Sequence, residues 1–217
     1  MKATLSHIIS WVFLPLLMPN YGLILTLYLP SQSKSIAEVS LYALPEELKS
    51  QLLFVFFVFS ALLPAMAFFT LHKQGVISTI DMENRLERSI PLIIMFVFCL
   101  LLFILFQVKA PDHVLPKYLY ALPLAGALVT GIFMFINRFI KISLHAGGAG
   151  ILVGFLMAYI AAQVGFAFWV LPLAILASGV TIAARLYLGK HQPVEVYTGW
   201  TLAVIITFCC NYFYPIG

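Results

Sequence analysis

A chain of 217 residues that is 63% hydrophobic and only 9% charged, with a mean hydropathy of +1.04, cannot cover a water-facing surface with polar groups. This excludes an ordinary soluble domain and predicts a single membrane domain over residues 1–217, with no stretch polar enough for a second, soluble one. The net charge of +4 comes from basic residues scattered between apolar runs, without the aromatic and basic interleaving of a nucleic-acid surface. It points instead to membrane orientation and anionic lipid headgroups.

A membrane-spanning helix needs about 20 predominantly apolar residues. The first run that qualifies is Leu5–Leu29. No small-x-small cleavage pattern follows it, so it reads as an uncleaved span, kinked or divided by Pro15 and Pro19. Ser31–Ser50 is the one long connection, and its Leu41-Tyr42-Ala43-Leu44 suits a position at the interface. Six more runs follow: Gln51–Leu71, Ile90–Gln107, Tyr118–Ile136, His145–Ala162, Phe166–Ile182 and Val194–Tyr212. Backbone polar groups in hydrocarbon need internal partners, so these are helices, and none shows the alternation of a barrel strand. The predicted fold class is all-α, a polytopic transmembrane helical bundle of about seven spans. The count falls if the tight Gln163-Val164-Gly165 connection does not turn the chain.

Seven crossings sort the connections by side. One side holds the N-terminus, His72–Ser89, Asn137–Leu144 and Ala183–Pro193, with eight basic residues. The other holds Pro30–Ser50, Val108–Lys117, the Gln163 turn and the C-terminus, with four. The positive-inside rule makes the first side cytoplasmic. If Arg85, Arg88 and Arg185 serve chemistry, the balance becomes five against four and decides nothing. Cys99, Cys209 and Cys210 lack metal-type spacing and read as packing residues.

The polar residues that stand out all belong to the first side. In Asp81-Met82-Glu83-Asn84-Arg85-Leu86-Glu87-Arg88, the two arginines are one turn apart and can point the same way, toward a phosphate or toward their acidic neighbours. In Lys141-Ile142-Ser143-Leu144-His145, a histidine opens a helix whose N–H groups and dipole favour anions. The glycines behind it, Gly147, Gly148 and Gly150, suit close helix packing. In Arg185…His191-Gln192-Pro193-Val194-Glu195, His191 and Glu195 are four apart and share a helical face. A carboxylate there fixes the tautomer of the imidazole and stabilises the imidazolium, and Arg185 supplies a fork for phosphate oxygens. A basic loop with a simple ion pair fits the same spacing.

This last block resembles the third motif of the type 2 phosphatidic acid phosphatase (PAP2) superfamily: Ser-Arg, five residues, His, three residues, Asp. Arg185 and His191 match in register, with Ala184 in place of Ser and Glu195 in place of Asp. Ser143 and His145 match half of the second motif, Pro-Ser-Gly-His. Arg85, Arg88 and Pro91 stand in the region of the first motif, Lys, six residues, Arg-Pro, but out of register. The chain is most similar to a divergent bacterial transmembrane branch. The resemblance implies a phosphatase in the cell (inner) membrane that acts on a lipid phosphomonoester or pyrophosphate without metal or cofactor. In that reading His191 attacks phosphorus, Glu195 orients and charges it, and His145 is the acid and base. Arg185, Arg85, Arg88, Lys141 and Ser143 bind the phosphoryl oxygens. Substrates that fit are polyprenyl pyrophosphate, phosphatidylglycerol phosphate, phosphatidate and lipid A phosphates. The altered motifs equally fit a catalytically degenerate relative that binds or moves an anionic lipid.

Overall fold

The first apolar run breaks at its prolines. In the computed structural model, which describes residues 2–36, 38–79, 84–110 and 114–215, helix α1 (Lys2–Val12) ends before Pro15. Helix α2 (Met18–Tyr28) starts afresh with Pro19 in its first turn, where the missing N–H costs nothing. The Tyr21 hydroxyl donates to the Val12 carbonyl at 2.8 Å and ties the two pieces together. At 11 residues, about 16 Å long, neither piece is a full-length span.

Six other segments are long and apolar enough to cross a membrane. The first is a 28-residue helical stretch, Glu46–Lys73, made of α3 (Glu46–Phe57) and α4 (Leu63–Lys73) joined by a π-helical turn, Val58–Leu62. Pro64 has no N–H to give the preceding turn, which widens there. The others centre on α5 (Ser89–Lys109), α6 (Tyr118–Ile136), α7 (Leu144–Ala162), α8 (Val170–Tyr187) and α9 (Pro193–Phe213). The protein is an all-α, multi-pass membrane protein.

The sixth predicted span begins later than expected. Residues 163–169 stay outside the helices, with Gly165 at φ +73°, and α8 runs on to Tyr187. Gln163–Val164 (β2) pairs antiparallel with Gln32–Ser33 (β1) of the long connection. Leu41, expected at the interface, is instead fully buried in a 3₁₀ turn, Leu41–Ala43, capped by Ser40.

Helix α7 is the central post, and from His145 to Tyr159 every side chain except Met157 is buried. Its glycines let neighbours approach. A Cβ on Gly150 or Gly154 would lie 2.6 Å and 2.5 Å from the carbonyl oxygens of Trp200 and Val204 on α9. Gly147 faces the Phe133 ring of α6, and Gly148 lies against the backbone of Pro15. The chain then runs alongside α7. Gly22 meets Phe155, the Tyr159 hydroxyl donates to the Thr26 carbonyl at 3.4 Å, and Lys34 N–H donates to the Ala162 carbonyl at 3.0 Å. Residues 15–34 thus traverse the bundle with a short helix and extended flanks, and α1 is left at the end where α7 begins.

Candidate active site

At that end the three polar segments of the first side meet. The 3₁₀ turn Leu86–Arg88 enters α5, and the buried Arg88 guanidinium donates to the Ile142 carbonyl. Ser143 caps α7, its hydroxyl oxygen accepting from Ala146 N–H at 3.4 Å. Its own N–H donates to the Glu195 carbonyl at 3.2 Å, which joins the starts of α7 and α9. Lys141 Nζ donates to the Lys190 carbonyl at 3.0 Å. Helix α8 closes on Gly189, at φ +63°, so the chain turns back at once and presents His191.

His191 and Glu195 form a dyad inside a helix cap. The imidazole Nδ1 and Glu195 Oε2 are 2.8 Å apart. The same carboxylate accepts from Gln192 N–H at 3.1 Å, while the Gln192 side chain accepts from the Glu195 N–H, a reciprocal capping box. Burial pushes the His191 pKa down from 6.5 to about 3; Arg88, Arg185 and Lys141 add to this, and a hydrogen bond with the Lys141 backbone opposes it. The ring is therefore neutral at pH 7. A carboxylate only accepts, so the proton sits on Nδ1 and the lone pair on Nε2. This corrects one expectation: Glu195 orients the ring but does not charge it, because desolvation and three nearby cations outweigh one carboxylate.

Arg88, His145, Arg185 and His191 line one cavity of about 430 Å³. Arg185 and Arg88 are each 2% exposed, so their charges act with little screening by water. Along α1, His7, Ser10, Trp11 and Leu14 form an i, i+3, i+4, i+7 stripe that supplies the facing wall. Phe68 of α4 and Met95 of α5 add apolar surface. His145 Nε2 lies 3.3 Å from the Ser10 carbonyl, one of the last acceptors of α1.

The other expected residues stand around this cavity without lining it. Glu195 holds His191, Ser143 caps α7 and Lys141 braces the Lys190 turn. Arg85 and Arg88 point the same way, as their spacing predicts, but both reach the 137–143 connection. Arg85 donates to the Phe139 carbonyl at 2.7 Å, is exposed, and contributes nothing to the cavity wall. Glu87 does not neutralise the arginines; it accepts from the N–H and hydroxyl of Ser78 at 2.8 and 2.9 Å. Asp81 and Glu83 lie outside the described residues. Among the described residues, no three His, Cys, Asp or Glu side chains gather as a metal site would require.

Sequence reasoning missed the contribution of α1. The stripe at 7, 10, 11 and 14 was visible as a helical period, but its residues look like an ordinary apolar span with a few polar insertions. In a water-soluble helix the serines would face out. Here Ser6 and Ser10 are buried, while Leu5, Ile8 and Val12 are exposed. No family model, curated protein or solved structure matches the chain.

Proposed function

We propose that the protein is a metal-independent lipid phosphatase of the inner cell membrane, working through a phosphohistidine as the PAP2 resemblance implies. The observation that carries this reading is the cavity. Two imidazoles and two buried guanidinium groups, from parts of the chain as distant as residues 88 and 191, share one wall-to-wall space of about 430 Å³. That volume lies in the range of small-molecule sites. Apolar residues of α1, α4 and α5 lie beside the charged ones, which suits a phosphate joined to a hydrocarbon chain.

In this mechanism the arginine pair holds the phosphoryl oxygens and stabilises charge in the transition state. His191 Nε2 attacks phosphorus, and the bond to the leaving oxygen breaks as His145 protonates that oxygen. His145 then takes a proton from water, the hydroxide attacks the phosphohistidine, and inorganic phosphate leaves with His191 restored. Glu195 keeps Nδ1 protonated throughout, so that Nε2 is the attacking atom. Arg85 has no part in this scheme.

A second reading, a non-catalytic protein that binds or moves an anionic lipid, draws on Ala184. This buried residue stands beside Arg185 where the motif has a serine hydroxyl. Phosphate release from a panel of lipid phosphates in detergent, with and without chelator, separates the readings. The phosphatase reading requires release that survives chelation and vanishes in His191→Ala while the variant still folds. Lipid binding by the wild type with no release from any substrate favours the second.

A further inference from the structure

Helix α1 lies outside every motif that brought the site to notice, yet it touches the chemistry directly. Ser10 and His145 are 135 residues apart in sequence, and the Ser10 carbonyl meets Nε2 of His145 at 3.3 Å. Ser10 is buried and His145 is 9% exposed, so water does not readily replace this contact. A carbonyl oxygen can only accept, so the nitrogen facing it carries a proton. Two features hold α1 in this place. The Tyr21 hydroxyl bonds the Val12 carbonyl at 2.8 Å, and Gly148, one turn beyond His145, leaves room for the Pro15 backbone.

We propose that Ser10 is a positioning residue for His145: its carbonyl fixes Nε2 as the permanent proton carrier, so that Nδ1 is the nitrogen that gives a proton to the leaving oxygen and takes one from water. This rests on the phosphatase reading for its chemical role but not for its geometry. It mirrors the other half of the site, where Glu195 Oε2 holds Nδ1 of His191 and leaves Nε2 as the working atom. Each imidazole has one nitrogen tied to the scaffold. For His145 the scaffold is α1, whose His7, Trp11 and Leu14 also wall the cavity.

The test loosens α1 without touching any residue assigned to catalysis. Tyr21→Phe removes the hydroxyl that pins the end of α1. Gly148→Ala places a Cβ 2.6 Å from the Pro15 Cα and forces the α1–α2 junction away from α7. Turnover numbers of the full-length protein in detergent are measured with dodecyl phosphate, whose alkoxide leaving group needs protonation, and with 4-nitrophenyl phosphate, whose leaving group does not. Weakening one hydrogen bond of this kind lowers dodecyl phosphate turnover by about three- to tenfold in Tyr21→Phe, and Gly148→Ala lowers it at least as far. Turnover of 4-nitrophenyl phosphate stays within about twofold, since the acid contributes its ~10²–10⁴-fold only where a proton is needed. Equal losses on both substrates, or no loss on either, overturn the proposal, because a merely structural role does not discriminate between leaving groups. Nitrogen-15 NMR of histidine-labelled protein, with His145 assigned through His145→Gln, gives a readout independent of turnover. A proton on Nε2 of His145 in the wild type is expected, and the neutral Nδ1–H tautomer overturns the proposal. If the wild type hydrolyses neither substrate, the phosphatase reading fails and the NMR result alone decides the positioning claim.

Discussion

Gly150→Ala tests whether the approach of α7 to α9 is what aligns the site. The added Cβ would sit 2.6 Å from the Trp200 carbonyl oxygen and 2.9 Å from the Ala203 Cβ, about 0.8 Å inside the 3.4 Å where ordinary contact begins. The obstacle is backbone, so a side-chain rotation cannot relieve it and α9 must retreat. Overpacking of this kind costs about 1–3 kcal/mol, against which alanine recovers roughly 0.5–1 kcal/mol of helix propensity. The net loss is about 1–2 kcal/mol, which for a chain of this length lowers the unfolding temperature by roughly 2–8 °C. Trp200 is five residues beyond Glu195, about 7.5 Å along the axis, so the displacement reaches the His191–Glu195 dyad. A misplacement near 1 Å reduces turnover by up to about 10²-fold. Gly179→Ala on the exposed face of α8 is the control, since a Cβ there meets nothing within 4 Å. It should raise the unfolding temperature slightly through helix propensity alone. Thermal unfolding of both variants in detergent, followed by size-exclusion recovery, together with phosphate release, reads the contrast. If Gly150→Ala is as stable and as active as Gly179→Ala, the close crossing of α7 and α9 is refuted as the device that sets the site.

The remaining expectations concern charge and position. Glu195→Gln keeps a residue able to complete the capping box but removes the carboxylate from His191. Turnover should fall by about 10²–10⁴-fold with the unfolding temperature nearly unchanged, whereas a large loss of stability would make the carboxylate structural. Arg88→Lys should lower turnover by about 10²-fold, and Arg85→Gln should leave it within about twofold, because only Arg88 lines the cavity; the reverse order in a phosphate-release assay would move the anion site to the surface. His191 is held neutral with its pKa lowered from 6.5 to about 3, so the unfolded chain binds more protons between those values. Its neutral form contributes stability that is fully present above pH 6.5 and is lost as pH falls toward 3. The wild type should therefore lose more unfolding temperature than His191→Gln between pH 7 and pH 4.5, and parallel losses would show that burial does not hold the ring neutral.

Composition and hydrophobic period alone determined that this is a membrane bundle of helices. Hydrocarbon leaves the backbone no other way to satisfy its polar groups, and apolar runs of span length announce themselves residue by residue. The break at Pro15, the caps at Ser143 and Gln192, and the pairing of His191 with Glu195 were legible for the same reason, since each depends on neighbours within a turn or two of chain. Tertiary structure decided what is long-range. It separated Arg88, which enters the cavity, from Arg85, one turn away and outside it. It made His191 neutral through burial and three cations gathered from other segments, which no local spacing encodes. It also brought Ser10 against His145, because a short α1 is carried to the head of α7 by a chain that returns along it. Local patterns record how a segment satisfies itself, whereas the chemistry of a site depends on what packing places around it.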